Sequence, residues 1–198
     1  MVAIKRKTGT IFITGISASG KSTLGRRLFE KMKEKSIENV RLIDGEEVRA
    51  ELEKRGVHCG YDNKGRTKAA LEMAKICHEY NEQGFICILC SICHRTKLRD
   101  EMRGKIKNVM EVYLECPVKI CAQRDYKGNY EKAYKGLYVS FIGVTEPYQM
   151  SANVDLILHT GENSIEGCSN ILFDSVTKYL TKTSSELSGD DTLVLDPE

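Results

Sequence analysis

Residues 15–23 read Gly-Ile-Ser-Ala-Ser-Gly-Lys-Ser-Thr, which has the spacing G-x-x-x-x-G-K-[ST]. Each fixed position in that spacing has a physical task. Gly15 and Gly20 permit a tight turn, so that the backbone N–H groups of Ser17, Ala18 and Ser19 can approach phosphate oxygens. Lys21 brings an ammonium to the β- and γ-phosphates. Ser22 offers a hydroxyl to Mg²⁺, and Thr23 leads the loop into a helix. The expected ligand is therefore ATP with Mg²⁺. A second chemical group sits at Asp44-Gly45-Glu46. A carboxylate there can orient or deprotonate an attacking hydroxyl, or hold Mg²⁺ through water. Asp-Gly is also a common turn pair, which is the competing reading. Arg124 and Lys127 add cations that can stabilise charge on a phosphoryl group in transfer.

These groups work only if the chain brings them together. Ile11 to Thr14 is a short apolar run ahead of the loop, and Ser22 to Lys35 has helical spacing. A strand feeding a loop and then a helix places phosphates at the positive end of the helix dipole. Further strands are expected at Val40–Ile43, Phe85–Leu89, Val109–Leu114 and Val154–Leu158. Helices are expected at Thr67–Gln83, from Pro117 through Arg124, and at Ser164–Leu180. Apolar strands alternating with helices predict an α/β fold: five parallel strands with helices on both faces, in three layers. Ligands in such sheets collect at the carboxyl ends of the strands. Residues 125–150 are rich in Lys, Gly and Tyr, and are expected to form a lid.

At 198 residues the chain is expected to be one domain spanning 1–182, with a flexible tail at 183–198. A formal charge of +2 favours no polyanionic partner. No run of apolar residues reaches membrane-spanning length. The N-terminus lacks the pattern of a signal peptide, so the chain is expected in the cytoplasm. The expected partner is a small nucleotide-like acceptor, with a homodimer left open, and with no nucleic acid and no membrane. Eight cysteines are present. Cys87, Cys90 and Cys93, followed by His94, have metal-like spacing, and Cys90-Ser-Ile-Cys93-His94 matches a haem-attachment pattern. Packing is the stronger reading, because these residues fall in and beside an apolar strand where a free Cys behaves as a small hydrophobe.

A phosphate loop alone does not separate kinases from GTPases or motor ATPases. Shortness and the lack of an Asn-Lys-x-Asp segment favour a small-molecule kinase. The chain resembles the adenylyl-sulfate kinases over roughly residues 10–180. Its loop is similar to that family's Gly-Leu-Ser-Gly-Ser-Gly-Lys-Ser-Thr. Leu42-Ile43-Asp44-Gly45-Glu46-Glu47-Val48-Arg49 resembles the family's Leu-Asp-Gly-Asp-Asn-Val-Arg. Arg124-Asp125-Tyr126-Lys127-Gly128-Asn129-Tyr130 resembles Arg-Asp-Pro-Lys-Gly-Leu-Tyr, and Phe141-Ile142-Gly143-Val144-Thr145-Glu146-Pro147-Tyr148 resembles Phe-Thr-Gly-Ile-Asp-Asp-Pro-Tyr.

The resemblance implies transfer of the ATP γ-phosphoryl to the ribose 3′-hydroxyl of adenylyl sulfate. It implies that Tyr61 and Phe141 sandwich the acceptor base and that Arg66 meets the phosphosulfate. It further implies that Asp44, Glu46, Arg49, Lys132 and Ile142 line the acceptor site. The chain also departs from the family. Asp-Gly-Asp-Asn has become Asp44-Gly45-Glu46-Glu47. The run Asp-Arg-x-Glu-Asn-Ile-Arg-Arg has become Gly65-Arg66-Thr67-Lys68-Ala69-Ala70-Leu71-Glu72. The donor half is kept and the acceptor half is rebuilt. That leaves another nucleoside diphosphate-like ester, such as a cytidine diphosphoramidate, as an alternative acceptor, with a sugar acid third. A nucleotide-binding regulator without turnover is the alternative from another class.

Overall fold

The computed structural model describes residues 8–181. Five strands form one parallel sheet in the order β2-β3-β1-β4-β5: β1 (Thr10–Thr14), β2 (Val40–Asp44), β3 (Ile86–Cys90), β4 (Val109–Glu115) and β5 (Leu156–His159). The strands alternate their side chains between two cores, as the pleat requires. Ile11, Ile13, Ile86, Ile88 and Cys90 face one side, where α1 (Lys21–Glu34) and α7 (Ile165–Thr181) cover them with Leu24, Leu28, Leu172 and Val176. Phe12, Cys87 and Leu89 face the other, under α3 (Asn63–Glu82) and α4 (Thr96–Lys105), with Met73, Cys77, Leu98 and Met102. Each fully buried aliphatic or aromatic side chain contributes about 1.5–3 kcal/mol, so these two cores hold the three layers together. Among the described residues no helix is long and apolar enough to cross a membrane.

The expected three-layer fold is present, with element ends shifted by a few residues. α3 begins four residues earlier than expected, because the Asp62 carboxylate accepts from the Gly65 amide at 2.8 Å and caps a polar first turn. The last strand starts at Leu156 rather than Val154. Three helices carry too few apolar residues to show in the sequence pattern: α2 (Gly45–Lys54), α4, and α6 (Asn129–Tyr134). A short α5 (Val118–Arg124) follows Pro117 as expected. The expected tail at 183–198 lies outside the described residues.

Residues 125–150, the expected lid, are anchored through α6. Tyr130 on α6 is 1% exposed and packs with Ile16, Cys116, Cys121 and Ile142 in a third apolar cluster. Its hydroxyl donates to the Ser17 carbonyl at 2.9 Å, which seats the segment on the phosphate loop. The cysteines pack. All eight are buried free thiols; Cys87 Sγ approaches the Cys77 carbonyl at 3.6 Å, and Cys90 Sγ approaches the Lys21 carbonyl at 3.3 Å.

A candidate active site at the carboxyl ends of the strands

The sheet order places a switch point at β1, because the chain runs from it to β2 and back to β3 on one side, then crosses to β4 and β5 on the other. A cleft of about 530 Å³ opens there. Its floor is the loop between β1 and α1. Gly15 has φ +147, and an added Cβ would lie 2.8 Å from the Leu114 carbonyl, so the turn admits only glycine. Gly20 precedes α1 in the left-handed region, at φ +102, with no side-chain cap and no acidic residue in the helix's first turn. The first N–H groups of α1 are thus left for an anion, and the helix dipole favours one. Three contacts fix the loop carbonyls: Tyr130 to Ser17, the Thr160 hydroxyl to Ser19 at 2.9 Å, and Lys21 Nζ to Ile16 at 2.5 Å.

Burial in this loop pulls the Lys21 ammonium down from its usual range to about 8, against the raising effect of Asp44 and Glu46. Phosphates favour the cation, so the free enzyme should capture a nucleotide best below that pKa. Expressed as kcat/KM for ATP, activity is expected to fall as pH rises through about 8, because kcat/KM reports groups of the free enzyme. A Lys21→Arg protein, charged throughout, should show no such fall. A wild-type profile flat to pH 9.5 would contradict the assignment.

The side wall comes from β2 and α2. Asp44 ends β2 and is 7% exposed. Its Oδ1 accepts from the Glu46 amide at 2.9 Å, so the Asp-Gly pair starts a helix rather than a turn. Its Oδ2 accepts from Ser22 Oγ at 2.5 Å. One carboxylate therefore joins the loop after β1 to the wall formed by β2 and α2. Ser22 and Asp44 present two adjacent hard oxygens, a donor set that fits Mg²⁺. Glu46, Glu47 and Arg49 continue the wall along α2.

The opposite rim comes from the start of α3 and from the segment after β4. Tyr61 is 65% exposed, with the Arg49 guanidinium 4.9 Å and the Arg66 guanidinium 5.7 Å from its ring centre. Arg66 donates to the Tyr61 carbonyl at 2.6 Å and to the Ser140 carbonyl at 3.2 Å. Burial and the neighbouring Arg49 hold its pKa below the usual arginine value. Lys127 crosses the cleft to an ion pair with Glu46, which raises the lysine's pKa. Arg124 lines the cleft, but its Nη2 donates to the Thr160 carbonyl at 2.9 Å and its Nη1 approaches Cys116 Sγ at 3.6 Å. In this geometry it braces the framework.

The cleft gathers Ser17, Ala18, Ser19, Gly20, Lys21, Ser22, Thr23, Asp44, Glu46, Arg49, Tyr61, Arg66, Arg124 and Lys127. Four other expected site residues do not line it. Gly15 lies behind the loop. Ile142 is 3% exposed and packs in the third cluster. Phe141 lies against Tyr138, with ring centres 5.8 Å apart and planes at 11°, and meets Tyr130 edge-on at 4.9 Å. Lys132 is exposed outside the cleft. Conversely, Arg26, Ser91, Ile92, Thr160, Asn163 and Ile165 do line it. Only a strand-end rule applied to β3 and β5 points to the last five of these, and Arg26 reads as an ordinary helix-surface charge.

A phosphate loop after β1, an acidic residue ending β2 and a cationic segment after β4 define a P-loop phosphotransferase. Residues 7–159 match the family described as adenylylsulphate kinase. The chain is 30% identical over 179 residues to an adenylyl-sulfate kinase of Gloeothece citriformis, covering 90% of this chain and 96% of the relative. It is 33% identical over 179 residues to the cytidine diphosphoramidate kinase of Campylobacter jejuni, covering 90% and 98%. Among solved structures it superposes with a TM-score of 0.78 on an APS kinase of Mycobacterium tuberculosis in complex with AMPPNP and APS, at 26% identity, covering 87% of this chain and 99% of that one. The chain belongs to the adenylylsulphate kinase family, and is a phosphotransferase with a hydroxyl acceptor.

Proposed function

We propose that this protein transfers the γ-phosphoryl of Mg·ATP to a ribose 3′-hydroxyl of a nucleotide-like acceptor, with adenylyl sulfate as the family's acceptor. The observation that carries the reading is one continuous cleft in which Lys21 and Ser22 face Asp44, Tyr61 and Arg66. The acceptor oxygen bonds to the γ-phosphorus as the bond from that phosphorus to the β–γ bridging oxygen breaks. Asp44 orients the hydroxyl and receives its proton. Lys21 balances charge on the β- and γ-oxygens, and Lys127 adds a second cation once freed from Glu46. Mg²⁺ would be held by Ser22 with Asp44 beside it, and would offset negative charge on the same oxygens.

A second acceptor is cytidine diphosphoramidate, the compound in the name of a relative 33% identical to this chain, because one observation weakens the fit to adenylyl sulfate. Where the family run has an amide and an arginine, this chain has Ala69, 0% exposed in the core, and Leu71, packed against the same core. Neither side chain grips an anion. Turnover with Mg·ATP should be measured against adenylyl sulfate, cytidine diphosphate esters, gluconate and shikimate, with Tyr61→Ala alongside. A nucleotide is expected to win, and Tyr61→Ala should weaken its capture by the roughly 1–3 kcal/mol of a lost base stack. A sugar acid preferred over every nucleotide, with Tyr61→Ala inert, would sink the nucleotide reading. No turnover with any acceptor would support a non-catalytic regulator instead.

A further inference from the structure

Arg66, near the start of α3, lines the cleft and is held there by two carbonyls. Its Nε donates to Tyr61 at 2.6 Å and its Nη2 to Ser140 at 3.2 Å. Both partners are neutral, and among the described residues no carboxylate pairs with it directly. The guanidinium is thus fixed in direction while its charge stays free for an anion. The Tyr61 contact is local. Ser140 lies 74 residues away, in the irregular segment after α6, so its carbonyl holds Arg66 only if that segment is itself held.

Glu146 holds it. Its Oε1 accepts from the Ser140 hydroxyl, and its Oε2 lies 3.0 Å from His94 Nε2. The Glu146 main chain closes the same turn: its N–H donates to the Phe141 carbonyl at 3.3 Å, and its carbonyl accepts from the Gly143 amide at 2.7 Å. His94 follows β3 and is 4% exposed, so it ties the turn to the sheet. Its carbonyl also accepts from the Gln149 amide at 2.8 Å. Burial holds His94 below the usual histidine range, so at neutral pH the ring is uncharged and Nε2 carries the hydrogen that the carboxylate accepts. The Ser140 hydroxyl, ahead of any other cause, holds Glu146 below the usual carboxylate range. Its negative charge therefore persists beside a group of cations: Arg49 and Arg95 lower the pKa of Arg66, and Glu146 raises it. His94, Ser140 and Glu146 do not line the cleft, and the Ser140 carbonyl is their contact with Arg66, which does.

Resting on the nucleotide reading above, we infer that Glu146 is a positioning residue for the acceptor: braced by His94, it holds Ser140 so that the Ser140 carbonyl aims Arg66 at an anionic group of the acceptor. Glu146 itself does not touch the acceptor. The test is steady-state kinetics with Mg·ATP and whichever of adenylyl sulfate and cytidine 5′-diphosphoramidate is turned over faster. Glu146→Ala should lower kcat/KM for that nucleotide by roughly tenfold or more, the scale of one displaced hydrogen bond to a charged group, chiefly by raising its KM. The KM for ATP should stay within about twofold, since uniform binding of the donor is untouched. Glu146→Gln keeps an oxygen for the Ser140 hydroxyl and should recover most of the loss. In an Arg66→Ala background, Glu146→Ala should cost less than about twofold more, because the group it positions is already gone.

An unchanged acceptor KM in Glu146→Ala would overturn the inference. So would an equal loss with and without Arg66, a glutamine protein no better than the alanine one, or parallel losses for ATP and acceptor with a lowered Tm. Each of these leaves the nucleotide reading standing, since a nucleotide is still phosphorylated. Turnover of neither nucleotide would remove that reading, and this inference with it.

Discussion

Replacing Lys21 by alanine is expected to lower kcat by at least about two orders of magnitude, the usual loss for a single preorganised electrostatic donor. The expectation follows from position. Lys21 is the first residue of α1, in a loop whose carbonyls are tied down by Tyr130 and Thr160. In this structure its ammonium sits on the Ile16 carbonyl at 2.5 Å, within the cleft. A negatively charged phosphoryl attracts the cation more strongly than a neutral carbonyl does, so the contact is exchanged when a donor binds. Removing the amine leaves the Tyr130 and Thr160 contacts to the loop in place. The loss should therefore fall on turnover more than on folding. The check is steady-state kinetics paired with a thermal melt: an alanine protein that melts normally and turns over near the wild-type rate would refute the role given to Lys21.

The largest stability effect is expected at Arg99 on α4. Its guanidinium is 0% exposed. It pairs with Glu111 at 3.0 Å, donates to Ser151 Oγ at 2.9 Å and to the carbonyls of Cys93 and Gln149, and lies 5.0 Å from the Tyr148 ring centre. Arg99→Leu removes a partner from Glu111, which is itself 1% exposed, and leaves the buried Cys93 carbonyl without its donor. Breaking one side of a buried pair costs about 3–5 kcal/mol. Arg103 also reaches Glu111 at 3.1 Å and Ser151 donates to it at 2.8 Å, so the low end of that range applies. Urea unfolding measures it, and a loss below about 1 kcal/mol would show that the pair contributes little. Adding Glu111→Leu to Arg99→Leu should recover part of the loss, because no uncompensated charge then remains.

The strands and the phosphate loop were legible in the sequence because each rests on a local rule. Ile11 to Thr14 is apolar on both faces of a buried strand, and the loop's glycines answer to backbone geometry that other residues rarely adopt. α2 was hidden because Asp44-Gly45 suits a turn and a capped helix start equally well, and only the Glu46 amide bonded to Asp44 decides between them. α4 carries six charged residues among its ten, so its apolar side, Leu98 and Met102, gives little periodicity. Its most buried residue is an arginine, which no hydropathy pattern assigns to a core. At the site, motif order named Asp44, Arg66 and Lys127, which line the cleft, but did not show that Phe141 and Ile142 turn toward Tyr130 instead. Side-chain direction in an irregular segment depends on tertiary packing, which the motif does not encode. Thr160 and Asn163 were illegible for the opposite reason: nothing about their spacing marks them, and they reach the cleft only because β5 ends there.

The buried thiols give the molecule an internal set of clocks. A thiol reagent needs both access and a thiolate. Burial denies the first and pushes the Cys90, Cys93 and Cys121 thiols up to about 12, which suppresses the second. Labelling must therefore wait for the surrounding structure to open. The cysteines are divided among the three cores: Cys90 and Cys168 under α1 and α7, Cys59, Cys77, Cys87 and Cys93 under α3 and α4, and Cys116 and Cys121 beneath α6. If α6 and its segment loosen ahead of the sheet, Cys116 and Cys121 label first; if the whole domain opens as one unit, all eight label together.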